Sequence, residues 1–262
     1  MTYLFDEWQR LSKKFAPPGK ILLLTDYDGT LTPIVNRPQA ATLSKNTKKL
    51  LLSISGKKRF KVGILSGRSI GEVKRLVGLK KIIYSGNHGF EIEAGGRLFF
   101  HQEAKKARPV LREIYCVLSR RFSNDRNVII EDKKATISLH YRLVENAGSI
   151  KRLKKIFKDI TRPYVRDKKV CLTGGKKVLE VRPFSKVNKG WALKWIVNRF
   201  TEKKTLVIYL GDDRTDEDAF KAVGKRGVSI FVGRKKRSRA EYFLKDTAEV
   251  NEFLKRLDSE KR

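Results

Sequence analysis

Lys20-Ile-Leu-Leu-Leu-Thr-Asp26-Tyr-Asp28-Gly-Thr-Leu-Thr-Pro33 is the stretch that decides the fold. Pro17-Pro18-Gly19 stops any helix just before it, so Lys20 to Thr25 reads as a strand buried on both faces, as in a parallel sheet. Phe60 to Leu65 and Thr205 to Leu210 have the same character. Helix-like stretches lie between them at Lys45 to Ser55, Ser69 to Val77, Lys189 to Phe200 and Thr215 to Val223. Strand alternating with helix predicts an α/β, Rossmann-like core whose parallel sheet is covered on both sides.

The middle of the chain is different. Val128 to Glu131, Ala135 to Arg142, Lys168 to Leu172 and Lys177 to Arg182 read as strands, with helices at Ala104 to Phe122 and Ala147 to Ile160. The alternation in Thr136-Ile-Ser-Leu-His140 predicts an antiparallel sheet with one packed face. The expected organisation is a core of residues 1–104 and 184–262, interrupted by an α+β insert at 105–183.

Sixty Lys and Arg against 28 Asp and Glu give a net charge of +32 over 262 residues. The insert holds 22 basic and 8 acidic residues, a surplus of 14 and nearly half the total. Such a field concentrates anions, either a phosphorylated substrate or a nucleic acid. A Lys-rich solvated surface is the plainer explanation, and charge cannot identify a substrate. No apolar run approaches the roughly 18 residues of a membrane span. With only Cys116 and Cys171, far apart in sequence, neither a zinc site nor a disulfide framework is expected, and a reduced cytoplasm is the default location.

The chemistry-bearing residues sit at strand ends, where open α/β sheets bind ligands. Asp26 and Asp28 leave the first strand together, and two acids so close repel unless a cation joins them or one is protonated. Magnesium suits carboxylate oxygens and shares its shell with phosphate. Taken alone, Asp28-Gly29 is also an ordinary turn. Ser66-Gly67-Arg68 ends the second strand, offering a hydroxyl and backbone N–H groups to phosphate oxygens. Gly211-Asp-Asp-Arg-Thr-Asp216 ends a third; a helix cap explains Asp216 and Glu217, but not Asp212 at the close of a buried strand. Lys189 opens a helix, where a cation opposes the macrodipole unless it faces anions.

In this order, Asp26-x-Asp-Gly-Thr, Ser66, Lys189 and Gly211-Asp-Asp resemble the haloacid dehalogenase (HAD) superfamily of phosphatases, and the insert matches its larger type of cap. Finer features are similar to the trehalose-6-phosphate phosphatase family. These are Asp26-Tyr-Asp-Gly-Thr-Leu-Thr-Pro33, Gly86-Asn-His-Gly89, Glu131-Asp-Lys133, Leu139-His-Tyr-Arg142, Lys176-Lys-Val-Leu-Glu180, Asn188-Lys-Gly190 and Gly211 to Asp218, with Ser238 to Asp246 beyond. The resemblance implies that Asp26 is the nucleophile and Asp28 the general acid and base, with Ser66 and Lys189 on the transferring phosphoryl group. It implies Mg2+ held by Asp26, the backbone carbonyl of Asp28 and Asp212, with Asp216 close by. Gly67, Arg68, Asn87 and His88 would line the substrate site. Glu131, Lys133, Arg142, Lys176 and Glu180 of the cap would grip sugar hydroxyls. The implied substrate is trehalose 6-phosphate, with functional coupling to a trehalose-phosphate synthase.

Phosphatases of sucrose phosphate, mannosyl-3-phosphoglycerate and glucosylglycerol phosphate share the core motifs and are the nearest alternatives. From a different class, Arg234-Lys-Lys-Arg-Ser-Arg239 could serve a nucleic-acid-binding protein, but no recognisable reading module accompanies it. Trp191 and Trp195, four apart on a helix, are expected to pack the core rather than stack on sugar.

Overall fold

The N-terminal part of the computed structural model runs β1 (Thr2–Tyr3), α1 (Trp8–Phe15), β2 (Ile21–Thr25), α2 (Lys45–Gly56), β3 (Phe60–Leu65), α3 (Ile70–Val77), β4 (Ile83–Gly86), β5 (Glu91–Ala94) and β6 (Arg97–Phe100). The middle part carries α4 (Gln102–Arg121), β7 (Ile129–Asp132), β8 (Ile137–His140), α5 (Ala147–Arg166), β9 (Val170–Gly175) and β10 (Val178–Pro183). The chain closes with α6 (Lys189–Phe200), β11 (Leu206–Gly211), α7 (Glu217–Val223), β12 (Val228–Val232), β13 (Tyr242–Leu244) and α8 (Thr247–Ser259). The structure describes residues 1–16, 19–35, 40–175, 177–224, 227–234 and 237–259. Two units result: residues 1–99 with 187–262, and residues 100–186.

The larger unit is built on a sheet of nine strands among the described residues, in the order β1-β13-β12-β11-β2-β3-β4-β5-β6. Pairing is parallel from β1 through β4 and turns antiparallel at β4–β5. Strand β2 is central and buried at every residue. Ile21 and Leu23 face a core shared with α1, α2, α3 and α8, through Leu11, Leu51, Val73 and Phe253. Leu22 and Leu24 face the opposite core, with Ala192, Leu193 and Ile196 of α6 and Phe220 of α7. This two-sided burial is why the strand is uniformly apolar. Each fully buried Leu contributes about 1.5–3 kcal/mol. Trp191 and Trp195 pack against the second core beside Phe99.

Local signals set the helix starts. Ser44, Ser69 and Asn188 accept the backbone N–H groups of Thr47, Glu72 and Trp191, capping α2, α3 and α6. Gly78, at φ 63°, ends α3 in the left-handed region.

The smaller unit packs α4 and α5 against a four-stranded antiparallel sheet, β7-β8-β10-β9. Ala107, Leu111, Ile114 and Leu118, at helical spacing, meet Ile137, Leu139 and Val181 of the sheet. Helix α5 runs six residues past the expected end at Ile160, through Pro163. Its apolar stripe continues in Tyr164, which packs on this core, and Asp167 N–H donates to the Pro163 carbonyl.

Candidate active site

Strand register brings the acidic stations level. Thr25 pairs with Ile64 of β3 on one side and with Leu210 of β11 on the other. Asp26, Ser66 and Asp212 therefore emerge within a residue or two of one another at the same edge, although up to 186 positions separate them. Asp26 N–H donates to the Leu210 carbonyl at 2.8 Å, which holds the start of the loop against β11.

Asp26 and Asp216 are buried, and Lys189 Nζ lies between them, 2.8 Å from Asp26 Oδ1 and 2.7 Å from Asp216 Oδ1. The ammonium at the first turn of α6 thus faces two carboxylates, which offsets its unfavourable position in the helix dipole. Asp216 accepts further hydrogen bonds from Tyr209 Oη at 2.6 Å and from the backbone N–H groups of Asp212 and Asp213, each at 3.0 Å. Asp213 caps the following turn, its Oδ1 accepting the Thr215 N–H and hydroxyl. Burial pushes the Asp26 carboxyl well up; Lys189 opposes this, and Asp216, Asp212 and Asp213 reinforce it. Burial also raises Asp216 against the pull of Lys189. For Asp213 the same desolvation is outweighed by Lys189 and Thr215, which hold it down at about 2.

One lysine among so many acids leaves an excess of negative charge. Asp26, Asp212 and Asp216 each present a carboxylate oxygen, all within 4.8 Å of one another. An all-oxygen donor set of this kind fits a hard divalent cation. Gly29, at φ 84°, has its backbone against the Asp212 carboxylate, which any Cβ would overlap. Gly29→Ala should therefore push Asp212 aside, lowering the affinity for a divalent cation by about 10-fold or more. Isothermal titration with Mg2+ checks this, and unchanged binding would count against Asp212 as a ligand.

Asp28 is half exposed and gripped by Arg68, whose Nε and Nη2 donate to Oδ2 at 2.7 Å and Oδ1 at 2.6 Å. The remaining Arg68 nitrogen pairs with Glu72. Expected to line the substrate site, Arg68 has its guanidinium on Asp28 and Glu72, so it fixes the orientation of the Asp28 carboxylate.

Ser66 is buried; its N–H donates to the Ser85 carbonyl at 2.8 Å, and its own carbonyl accepts from His88 N–H at 3.0 Å. Asn87 and His88 both hold left-handed backbone, φ 49° and 57°, a strained pair of the kind that clusters at functional sites. The His88 ring lies over Gly67, where an added Cβ would come within 2.6 Å of Cε1.

In the smaller unit, Glu131, Ser138, Glu180 and Thr173 lie directly opposite one another across β7, β8, β10 and β9. Glu180 is buried and accepts hydrogen bonds from Thr136 at 3.1 Å, Ser138 at 3.4 Å and Thr173 at 3.3 Å. Lys133 Nζ sits 3.7 Å from Glu180 and 3.9 Å from Glu131, and His140 Nε2 is 3.0 Å from Glu131. Lys133 points into this cluster, while neighbouring Lys134 is exposed and turns at φ 68°. Arg142 is half-buried just after β8. Lys176 lies outside the described residues, as do Lys235 and Lys236 of the basic run.

Sequence reading missed Tyr209, Glu72 and Glu91. Tyr209 carried a weak signal, a phenol in an apolar strand that ends on acids. Glu72 carried none, while Glu91 lies in the Gly86 to Ile92 segment that resembles the family, with no role attached to it.

The family model for trehalose-phosphatase matches residues 24–248. Trehalose-phosphate phosphatase B of Arabidopsis thaliana is 33% identical over 276 residues, covering 99% of this chain and 71% of that protein. Probable trehalose-phosphate phosphatase 4 of Oryza sativa is 35% identical over 252 residues, covering 93% and 67%. Among solved structures, the C-terminal domain of the C. albicans trehalose-6-phosphate phosphatase superposes with a TM-score of 0.79 at 26% identity, covering 95% of this chain and 96% of that one.

Proposed function

The chain belongs to the trehalose-phosphatase family, and we propose that Asp26 and Asp28 perform its phosphoryl transfer, with Lys189, Ser66 and a magnesium ion in support. The enzyme hydrolyses trehalose 6-phosphate to trehalose and phosphate. The observation that carries the residue assignment is Lys189 between Asp26 and Asp216, at the strand edge where Asp212 also emerges.

An Asp26 carboxylate oxygen attacks phosphorus, and the bond from phosphorus to the sugar 6-oxygen breaks. Asp28 gives that oxygen its proton, so trehalose leaves neutral and an aspartyl-phosphate remains. Asp28, now a carboxylate, takes a proton from water; the water oxygen attacks phosphorus, releasing phosphate and restoring Asp26. Arg68 orients the Asp28 carboxylate, the form that takes the proton from water. Ser66 and Lys189 hold the phosphoryl oxygens where charge gathers. Magnesium, held by Asp26, Asp212 and the Asp28 carbonyl, would neutralise phosphoryl charge and offset its repulsion from Asp26. With both its oxygens engaged, Asp216 supports this set by fixing Lys189 and the Asp212–Asp213 backbone.

We assign sugar recognition to the Glu131, Lys133 and Glu180 cluster, with Arg142 and Lys176, because carboxylates accept hydrogen bonds from hydroxyls and lysine donates them. Glu180→Ala should cut kcat/KM on trehalose 6-phosphate by about 10–100-fold and on a small aryl phosphate by less than about 3-fold. Equal losses on both would remove Glu180 from sugar recognition.

Phosphate release measured across trehalose 6-phosphate, sucrose phosphate, mannosyl-3-phosphoglycerate and glucosylglycerol phosphate, with and without Mg2+, tests the whole reading. Preference for another ester, or undiminished turnover in excess chelator, would overturn it. We further place the enzyme in a reducing cytoplasm, beside the synthase that makes its substrate. No described helix is long and apolar enough to cross a membrane, and Cys116 is an exposed free thiol.

A further inference from the structure

We infer that Glu91 is a positioning residue for phosphoryl transfer, a clamp joining the loop after β3 to the strained turn after β4. Glu91 opens β5 and is buried, 5% exposed. A buried carboxylate persists only where it is well paired. One oxygen, Oε2, accepts from Asn87 Nδ2 at 2.6 Å and from the Ile70 N–H at 3.2 Å. The first donor belongs to the turn Asn87–Gly89, the second to the first residue of α3. A single atom therefore ties the two segments together.

Close packing between the same segments shows why they need tying. A Cβ on Gly86 would overlap the Ile70 backbone, and one on Gly67 would meet the His88 ring. Asn87 N–H donates to the Arg68 carbonyl at 2.7 Å, and His88 N–H to that of Ser66 at 3.0 Å. Asn87 and His88 hold their left-handed backbone against a cost of about 1–3 kcal/mol each, which the surroundings must impose. Glu91 supplies part of that constraint from behind. What it steadies is the loop bearing Ser66, which grips the phosphoryl group, and Arg68, which orients Asp28. The inference rests on those two proposed roles. The two donors it accepts from, Asn87 and Ile70, take no part in the proposed bond making and breaking.

A clamp needs the oxygen at its present reach, not the negative charge. Glu91→Gln keeps an oxygen there; Glu91→Asp keeps the charge but withdraws it by one methylene; Glu91→Ala removes both. Steady-state kinetics on trehalose 6-phosphate should show Glu91→Gln within about 3-fold of the parent. Glu91→Asp and Glu91→Ala should lose about 10–100-fold in kcat, with KM moving less than about 3-fold. Amide hydrogen exchange should rise in residues 66–70 and 86–90 of the Asp variant and stay unchanged in the Gln variant. If Glu91→Ala does not fold, the Gln–Asp contrast alone decides. Activity retained by Asp and lost by Gln would overturn the clamp in favour of a role for the charge. Loss of thermal stability in Asp, with kcat of the folded enzyme unchanged, would reduce Glu91 to a structural residue. Ser66→Ala, measured alongside, separates the two levels: full activity there sinks the phosphoryl-binding role of Ser66, while the exchange data still judge the clamp.

Discussion

Asp26→Asn should leave the fold intact and lower turnover of trehalose 6-phosphate by at least about 10⁴-fold, because in the proposed mechanism it removes the attacking oxygen rather than a supporting contact. The amide is nearly isosteric with the carboxylate. Asp26 N–H and its carbonyl keep their partners, Leu210 and Thr25, so β2 and its register are untouched. Stability of the metal-free protein should change little. Burial and three neighbouring acids push the Asp26 carboxyl up while Lys189 opposes them, so a neutral amide relieves the first and gives up the ion pair with Lys189. The checks are a phosphate-release assay with saturating Mg2+ and a thermal melt on the same preparation. Measurable turnover near the parent rate would end the assignment of Asp26 as nucleophile. Lost turnover with a lost melt would reveal a folding defect instead.

Lys189→Met is the second large effect, and it falls on stability as well as catalysis. Lys189 is 2% exposed and touches two carboxylates. Desolvation works against its charge, but Asp216 and Asp26 outweigh it and hold the ammonium protonated far above neutral pH. Methionine fills similar volume, so packing changes little; Asp216 and Asp26 are left buried without their cation. Stranding one side of a buried ion pair costs about 3–5 kcal/mol, a large share of the roughly 5–15 kcal/mol that holds a protein folded. Urea denaturation should show that loss, with turnover down by about 10³-fold or more. A second change identifies the cause. Asp216→Asn added to Lys189→Met should recover part of the stability, since it neutralises a stranded charge, and none of the activity. A Lys189→Met variant as stable as the parent would show that the buried acids do not depend on it.

Much of the fold is readable along the chain because its signals are local. Ile21 to Leu24 alternate between two cores, and only a central strand needs apolar residues on both faces. Ser44, Ser69 and Asn188 mark helix starts with side chains that satisfy amides three residues on. Strands β1, β4, β5, β6, β12 and β13 are not among the expected ones: β1 is two residues long, β13 three and β4, β5 and β6 four each, which leaves little room for a periodicity to register. The extension of α5 past Ile160 was hidden by Pro163, whose local penalty is overridden by the packing of Tyr164.

The candidate site divides the same way. Asp26, Asp28, Ser66 and Asp212 stand out by residue type and position at strand ends and Lys189 by its place at a helix start, and the structure gathers Asp26, Asp212 and Lys189. Where each polar atom points is not legible in this way. Arg68 could have met a substrate phosphate, yet it meets Asp28, forty positions earlier. Lys133 and Lys134 are indistinguishable in sequence, and the turn between β7 and β8 sends only the first toward Glu180.

What the sequence determined by itself was the succession of apolar strands, the acids that end them and hence a phosphoryl-transfer fold. Only the tertiary structure decided that Lys189 divides its charge between Asp26 and Asp216, and that Glu91 holds two loops with one oxygen. The reason is physical. Backbone periodicity and caps act over a few residues, so composition records them. A buried charge takes its partner from whatever the fold places within about 3 Å, and Lys189, at the start of α6, meets Asp26 from the end of β2, 163 positions earlier in the chain.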